Sequence, residues 1–224
     1  MTWENPQGSG VRGVEERIHL MKGTTTVGVK FKDGVVVASD KRATSGTFVA
    51  SKSAVKTFKL TDYAVATISG LVADGQYLVN NLAALADLYS MDTGRPITVR
   101  GLARLLVLML RRYRPFFLLA QLIVGGVDRE GPHLFNVDLY GTMTEEDYLA
   151  TGSGSPVAIS VIEGGYSPEM DREAAIRLVI SSMVAALSRD AATGDGIDVV
   201  VVDGGGVRFL GRDEISRMIE ELRR

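Results

Sequence analysis

Three stretches of this 224-residue chain place hydroxyl or amine side chains where they could do covalent chemistry. Residues 24–26 are three consecutive threonines, residues 53–56 read Ser-Ala-Val-Lys, and residues 151–156 read Thr-Gly-Ser-Gly-Ser-Pro. A hydroxyl group becomes a useful nucleophile only when a base beside it accepts its proton. The functional question is therefore which of these hydroxyl groups has such a base.

Spacing alone does not choose among the three stretches. Residues 53–56 match the Ser-x-x-Lys pattern of β-lactamase-like enzymes, but the companion motifs of those enzymes are missing. Residues 151–156 could cradle a phosphate, yet they lack the Gly-Lys-Ser/Thr ending and fit a strand-to-helix loop equally well. Three threonines that open a strand indicate only that threonine is a good strand former.

Other classes of site receive little support. The two histidines, His19 and His133, lie far apart, and neither has a metal-ligand partner at helix spacing, so structural roles are expected. The absence of cysteine excludes disulfides, thiolate metal sites and cysteine nucleophiles. A net charge of -2 gives no electrostatic reason for binding to nucleic acid or to an anionic membrane. We expect no cofactor and no metal.

Composition and patterning predict one domain that follows a short extension. Hydrophobic residues make up 46% of the chain and charged residues 23%, which is average for a soluble globular protein. The longest apolar stretch, residues 105–110, is too short to span a bilayer. Residues 1–23 are polar and charged, without the apolar core of a signal peptide, and are typical of a mobile extension or pro-segment. A cytoplasmic protein is expected.

The order of the predicted elements indicates the fold class. Strand patterns occur at residues 24–31, 35–40, 55–60, 63–69, 118–127, 132–139, 142–150, 197–202 and 207–210. Helix patterns occur at residues 71–94, from Thr98 to Pro115, in a pair whose second member spans residues 172–188, and at residues 213–223. Hairpin-linked strands that alternate with helix pairs favour an α+β fold, a four-layer αββα sandwich with two antiparallel sheets face to face between helix layers.

Two local expectations can be checked directly. The Asp33-Gly34 pair predicts a tight hairpin, because both turn positions tolerate positive φ. The helix that follows Thr98 is apolar nearly all round in its middle, at residues 102 and 105–110, which predicts burial between layers rather than at the surface.

An ordered set of segments closely resembles archaeal-type proteasome β-subunits, threonine proteases of the N-terminal nucleophile hydrolase family. The resemblance covers essentially all of residues 24–224 with sensible spacing. Any single segment could match by chance, but the ordered set is specific. The matching segments are residues 23–28, 32–36, 38–44, 53–58, 68–74, 122–128, 150–156 and 189–195.

The resemblance implies a precursor that cleaves itself at the Gly23–Thr24 bond, so that residues 1–23 are a propeptide and residues 24–224 the catalytic domain. Thr24 would then supply the nucleophile through its hydroxyl and the base through its new α-amine, whose pKa is about 8. Before cleavage that nitrogen is an amide without basicity. Glycine at position 23 suits self-cleavage, because it reaches tight backbone shapes without a Cβ clash.

The resemblance also assigns supporting roles by position. Lys56 is the active-site lysine, which would lower the pKa of the amine or the hydroxyl, and Asp40 is the acidic partner that keeps this lysine charged and oriented. The backbone N–H of Gly70 would serve as the oxyanion hole. The residues that would position the amine and a proton-shuttling water are Ser153, Asp190 and Thr193. Thr193 stands where the family usually has serine, which leaves its hydrogen bond open.

The substrate-binding residues implied by the resemblance carry no charge. Thr44 would bind the backbone of an extended substrate. Burying an unpaired charge among the others would be costly, so cleavage after large apolar residues is expected. The implied first substrate pocket comprises Ala43, Ala54, Phe58, Ile68, Val72 and Gln76.

Assembly and alternatives follow from the same resemblance. Such subunits form heptameric rings that stack on rings of α-subunits, and a regulatory ATPase delivers unfolded polypeptides to them. One alternative is a structural β-subunit that packs in the ring without cleaving. Two others are the related bacterial ring protease, which has no α-ring, and an amidohydrolase that acts on small molecules. The charge-free pocket residues disfavour the amidohydrolase.

Overall fold

Two five-stranded antiparallel sheets form the centre of the protein. A computed structural model describes residues 23–113 and 117–222. The strands are β1 (Thr25–Phe31), β2 (Gly34–Asp40), β3 (Ala43–Ser45), β4 (Phe48–Ser51), β5 (Thr57–Thr61), β6 (Ala64–Gly70), β7 (Ala120–Asp128), β8 (Gly131–Val137), β9 (Met143–Glu145), β10 (Tyr148–Gly152), β11 (Ile197–Asp203) and β12 (Gly206–Phe209). The helices are α1 (Val72–Thr93), α2 (Val99–Arg112), α3 (Ser155–Gly165), α4 (Arg172–Arg189) and α5 (Arg212–Leu222).

The strand order shows how distant segments meet. The first sheet has the order β10-β1-β2-β11-β12, and the second has the order β5-β6-β7-β8-β9. Every pairing is antiparallel, which is the pattern that hairpin connections allow. The strands β3 and β4 form a separate two-stranded hairpin. Because β1 lies between β10 and β2, the start of the described chain is next to residues that are far away in sequence.

Three apolar clusters separate four layers. The side chains of β2 alternate, so that Val36 and Ala38 pack against α3, α4 and α5, whereas Val35 and Val37 face the second sheet. A third cluster lies between the second sheet and the helices α1 and α2. The αββα sandwich predicted from the sequence is confirmed.

The two local expectations have different outcomes. The strands β1 and β2 pair across the Asp33-Gly34 turn, with Phe31 opposite Gly34, as predicted. The Thr98 side chain accepts a hydrogen bond from the Gly101 N–H at 3.0 Å and begins α2. The helix ends at Arg112, and the predicted stop at Pro115 lies outside the described residues. The prediction that α2 is buried all round is wrong, because α2 belongs to an outer layer and Leu108 is 63% exposed.

The single strand predicted at residues 142–150 is two strands in different sheets. Adjacent residues direct their backbone bonds to opposite sides: the Glu146 N–H donates to the Leu134 carbonyl in β8 at 2.9 Å, and the Lys30 N–H in β1 donates to the Asp147 carbonyl at 2.8 Å. The chain therefore crosses between the sheets at this point. A continuous strand pattern does not reveal such a crossing, because both halves keep the same alternation.

The described part of the chain contains no helix that is long and apolar enough to cross a membrane.

The outer-layer position of α2 generates a matched pair of stability predictions. Leu106 is fully buried and Leu108 is 63% exposed, although they lie two residues apart in one helix. Leu106→Ala should lower the free energy of unfolding by about 2–5 kcal/mol through lost burial and a residual cavity. Leu108→Ala should change it by no more than about 0.5 kcal/mol. Urea unfolding of the isolated chain measures both, and equal effects would contradict the layer assignment.

Candidate active site

The β1–β2 hairpin brings Thr24 and Asp40 together. Thr26 pairs with Ser39, so the residues just beyond this pair lie side by side at the end of the hairpin. The Thr25 N–H donates to Asp40 Oδ1 at 3.0 Å. Thr24 is only 2% exposed. A threonine at the start of β1 is thus next to a carboxylate from the end of β2.

Asp40 and Lys56 form a buried ion pair beside Thr24. The Lys56 Nζ lies 2.7 Å from Asp40 Oδ1, and both side chains are completely buried. The Lys56 ammonium also donates to the Arg42 carbonyl at 2.5 Å. The carboxylate of Asp40 accepts three backbone N–H bonds, each 3.0 Å long, from Thr25, Arg42 and Gly194. Every charged atom in the pair therefore has partners, as a buried charge requires.

Burial sets the direction of both pKa shifts. Removal from water lowers the pKa of Lys56 below its usual value, and the attraction of Asp40 opposes this shift. Burial likewise raises the pKa of Asp40, against the charge and hydrogen bond of Lys56 and the backbone donors. The ammonium of Lys56 is consequently easier to deprotonate than that of an exposed lysine.

Two groups converge on the carbonyl oxygen of Gly23, in the intact peptide that joins Gly23 to Thr24. The Thr24 hydroxyl donates to this oxygen at 2.6 Å, and the Lys56 Nζ lies 3.5 Å from it. A Cβ added at Gly23 would lie 1.9 Å from the Thr44 Oγ1, so a larger residue would require the Thr44 side chain to move. The absence of a side chain at Gly23 thus lets the peptide lie close to the side chains that contact it.

A second carboxylate reaches Thr24 through Ser153. The Ser153 N–H donates to the Thr24 carbonyl at 2.8 Å, and the Ser153 hydroxyl donates to Asp190 Oδ2 at 2.5 Å. The Thr193 hydroxyl donates to the same oxygen at 2.5 Å and lies 2.6 Å from the Thr25 Oγ1. The hydrogen bond of Thr193 that the sequence left open is therefore to Asp190. Its hydrogen carries the bond to Asp190, so the Thr25 hydroxyl donates to Thr193.

Gly70 approaches the site from the second sheet. It has φ of +101°, and a Cβ there would lie 2.3 Å from the Leu119 carbonyl oxygen. Together with Thr151 and Gly152 it lines a cavity of about 190 Å³ between the sheets. A Cβ on Gly152 would in turn lie 1.9 Å from the Thr24 carbonyl oxygen. Gly70 and Thr24 are both described, and no hydrogen bond joins them.

A comparison with known families decides which family the site belongs to. A family model described as proteasome subunit matches residues 20–202, which include every residue of the arrangement above. The chain belongs to the proteasome subunit family. The resemblance found in the sequence is thereby confirmed at the level of the family.

Archaeal relatives extend the match over nearly the whole chain. The chain is 81% identical over 205 residues to "Proteasome subunit beta 1" of Korarchaeum cryptofilum, an alignment that covers 92% of this chain and 100% of the relative. It is 41% identical over 212 residues to "Proteasome subunit beta" of Archaeoglobus profundus, covering 94% and 98%. It is 46% identical over 185 residues to "Proteasome subunit beta 2" of Desulfurococcus amylolyticus, covering 81% and 89%.

The expected substrate-binding residues of this proteasome subunit occupy two neighbouring regions. Ala43 and Thr44 lie in β3, and Thr44 directly contacts Gly23. Ile68 is only 2% exposed and belongs to the core cluster beneath α1, so its side chain would lie below the expected pocket with little surface open to a substrate. All the other members of the set are half-buried, namely Ala43, Thr44, Ala54, Phe58, Val72 and Gln76.

Sequence reasoning missed three residues of the site. The Thr25 hydroxyl contacts Thr193, Arg42 contacts both members of the buried ion pair through its backbone, and Asp195 binds the Arg42 side chain. Arg42 and Asp195 fall within segments that resemble the family, but no spacing rule links charges 153 positions apart. Within the described residues, no cluster of three or more His, Asp or Glu side chains could hold a metal ion.

The position of Gly70 generates a prediction with a matched control. Gly46 also has positive φ, +61°, but no atom within 4 Å of an added Cβ. Gly46→Ala should cost about 1–2 kcal/mol of stability through backbone strain alone. Gly70→Ala should cost roughly 2–4 kcal/mol, because its Cβ also collides with the Leu119 carbonyl. Thermal unfolding of both variants tests this, and equal losses would show that Gly70 is not crowded.

Proposed function

We propose that this chain is a threonine endopeptidase of the proteasome core particle, made as a precursor that cleaves itself between Gly23 and Thr24. The observation that carries the proposal is the convergence of the Thr24 hydroxyl and the Lys56 Nζ on the Gly23 carbonyl oxygen. A structural subunit would not need a buried lysine directed at a peptide bond. Family membership and the relatives named as β-subunits support the same assignment.

Self-cleavage begins with attack of the Thr24 Oγ1 on the carbonyl carbon of Gly23. The hydroxyl proton goes to the Lys56 amine, the carbon–nitrogen bond breaks, and the Thr24 nitrogen takes up a proton to become an amine. Water then hydrolyses the ester, which releases a carboxylate on Gly23 and restores the hydroxyl. The outcome is a chain that starts at Thr24, without residues 1–23.

Lys56 suits the role of proton acceptor in the precursor. The Thr24 nitrogen is an amide at that stage and has no basicity, whereas burial lowers the pKa of the lysine. Asp40 and the Arg42 carbonyl hold the Nζ in place from the other side. After cleavage the α-amine of Thr24, with a pKa of about 8, adds a second base near neutral pH.

The remaining residues act on the substrate in this proposal. The Gly70 N–H stabilises the oxyanion, and Ser153 with Asp190 and Thr193 positions the new amine and a water molecule. Thr44 binds the substrate backbone where it contacts Gly23 in the precursor. Cleavage after apolar residues fits a site in which Phe58 and Val72 pack against an apolar core.

Exposed apolar side chains support assembly with other subunits. On the outer helices Leu88, Met91 and Leu108 are largely exposed, which is unfavourable for an isolated chain. We infer that α-subunits and other β-subunits of stacked heptameric rings cover such surfaces. A regulatory ATPase would deliver unfolded polypeptides to the enclosed sites, which act in the cytoplasm.

Removal of the Thr24 hydroxyl tests the proposal. In co-expression with an α-subunit, Thr24→Ala should leave residues 1–23 attached and abolish peptidase activity, because the attacking oxygen is gone. Thr24→Ser is the matched control, since it keeps a hydroxyl at the same place, and it should yield cleaved protein. Mass spectrometry of the assembled chain reports the N-terminus, and a fluorogenic peptide reports activity. Cleavage at Gly23–Thr24 in Thr24→Ala would refute the mechanism.

The pH dependence of self-cleavage tests the role of Lys56. Only the neutral amine accepts a proton, so the rate should rise with pH, by up to about tenfold per pH unit below the lysine pKa. Burial lowers that pKa, so the plateau should come below the 10.5 of an ordinary lysine. Acidification also protonates Asp40, at a higher pH than an ordinary carboxyl because burial raises its pKa. Loss of this charge releases the Lys56 Nζ that Asp40 holds in place, which lowers the cleavage rate at low pH as well. Quenched time courses between pH 5 and 9 give the profile.

Lys56→Arg is the control for this pH experiment. Arginine keeps the positive charge beside Asp40 but does not lose its proton in this range, so cleavage should stop. A flat pH profile, or normal cleavage in Lys56→Arg, would assign the lysine to electrostatics alone.

A further inference from the structure

The loop at residues 190–196 supplies several groups to the active site. It carries Asp190 and Thr193, which bind each other, and the Gly194 N–H that donates to Asp40. Besides the Gly194–Asp40 bond, the Lys41 N–H at the end of β2 contacts the carbonyls of Gly194 and Gly196 at 3.1 and 3.2 Å. The geometry of the site therefore depends on how this loop is held against the end of β2.

The Arg42 side chain spans this loop. Its Nε donates to Asp195 Oδ2 at 2.8 Å, and its Nη1 donates to the Ala191 carbonyl at 2.8 Å. The guanidinium lies directly over Gly194, where an added Cβ would come within 2.2 Å of the Arg42 Cζ. One planar group thus contacts three residues of the loop, Ala191, Gly194 and Asp195.

The backbone of the same residue holds the buried ion pair. The Arg42 N–H donates to Asp40 Oδ2 at 3.0 Å, and the Arg42 carbonyl accepts from Lys56 at 2.5 Å. Arg42 therefore connects the charges beside Thr24 with the loop that bears Asp190. Movement of the loop away from Arg42 would withdraw the Gly194 N–H from Asp40.

The backbone at Asp195 is strained. Among the described residues it is the one non-glycine with positive φ, +64°, a conformation that is disfavoured for L-residues, although Asp adopts it more readily than most. Such strain persists where surrounding contacts require it. The 2.8 Å ion pair places the Asp195 carboxylate on Arg42, and the positive φ is an independent observation that the backbone of this residue is held in an unusual conformation.

We propose that the Arg42–Asp195 ion pair is a positioning device that sets the loop at residues 190–196, and with it the Gly194 N–H on Asp40, in the geometry that cleavage requires. This inference rests on the proposed function and adds two positioning residues to it. Neither side chain touches the scissile peptide. The Arg42–Asp195 pair affects cleavage indirectly, because it positions the groups that contact the Asp40–Lys56 ion pair and the loop that carries Asp190.

The electrostatics agree with this role. The hydrogen bond from Arg42 holds the pKa of Asp195 below its usual value, so the pair stays charged across the working range. The Gly194 N–H lowers the pKa of Asp40, against the effect of burial. Loss of the Arg42–Asp195 ion pair, which is the clamp on this loop, would withdraw that donor and raise the pKa of Asp40 further. An ion pair with a purely structural role would have no such effect.

The test compares neighbouring ion pairs. Arg42→Met removes the clamp from one side, and Asp195→Gly removes it from the other while accepting positive φ without strain. Lys41→Met is the matched control, because Lys41 is the adjacent residue and its pair with Asp198, 2.7 Å long, is similarly half-buried. Each full-length precursor is purified and combined with an α-subunit between pH 5 and 9.

The expected result is a ten- to hundredfold slower cleavage at Gly23–Thr24 in Arg42→Met and Asp195→Gly, since small displacements at a reacting centre cost this much. The acid limb of their pH–rate profiles should move to higher pH. Arg42→Lys, which keeps the charge, should restore part of the rate. Lys41→Met should stay within about twofold of the unmodified chain, with an unmoved acid limb.

Every other outcome overturns the inference. Rates and acid limbs of the two variants that match Lys41→Met would show that the pair positions nothing. Loss of folding in both variants, read by circular dichroism, would assign the pair to global stability. Absence of cleavage in the unmodified chain would overturn the proposed function as well, whereas cleavage that depends on Thr24 but not on Arg42 or Asp195 would remove this inference alone.

Discussion

The buried ion pair of Asp40 and Lys56 is the interaction on which the rest of the structure depends. Two charges taken out of water cost several kcal/mol each unless good geometry and extra hydrogen bonds offset the loss. Here the extra bonds come from the start of β1, the end of β2 and the loop at residues 190–196. The pair is fully hydrogen-bonded only when these three segments have met, so its formation depends on contacts between residues as far as 154 positions apart.

Much of the fold follows from local rules that the sequence displays openly. The turn at Asp33-Gly34, the cap at Thr98 and the alternation along β2 each depend on a few neighbouring residues. The crossing at Glu146 and Asp147 does not, because its cause is hydrogen bonding to two different sheets. The exposure of Leu108 is likewise set by which layer α2 joins, and apolar composition carries no information about that.

The candidate site shows the same division more sharply. No spacing rule selects Thr24 among three threonines. Lys56 lies 16 positions beyond its partner Asp40, and Ser153 lies 129 positions beyond Thr24, so only the folded sheet brings these residues together. Resemblance to a family supplied those positions. It did not supply the roles of Thr25, Arg42 and Asp195. No sequence pattern marks a single hydroxyl or a partly exposed ion pair as functional, and the roles of these residues can be recognised only from the groups that they contact in the fold.

The crossing at Glu146 and Asp147 has a mechanical consequence. It ties the outer strand of one sheet, β9, directly to β10, whose end holds the Thr24 carbonyl through Ser153. Any shear of one sheet over the other would pull on that tether and drag β10 along β1. The cavity between the sheets therefore resists widening, and a bulky ligand would have to adopt a thinner conformation in order to enter it. For the proposed protease, this stiffness would favour extended polypeptides over folded ones.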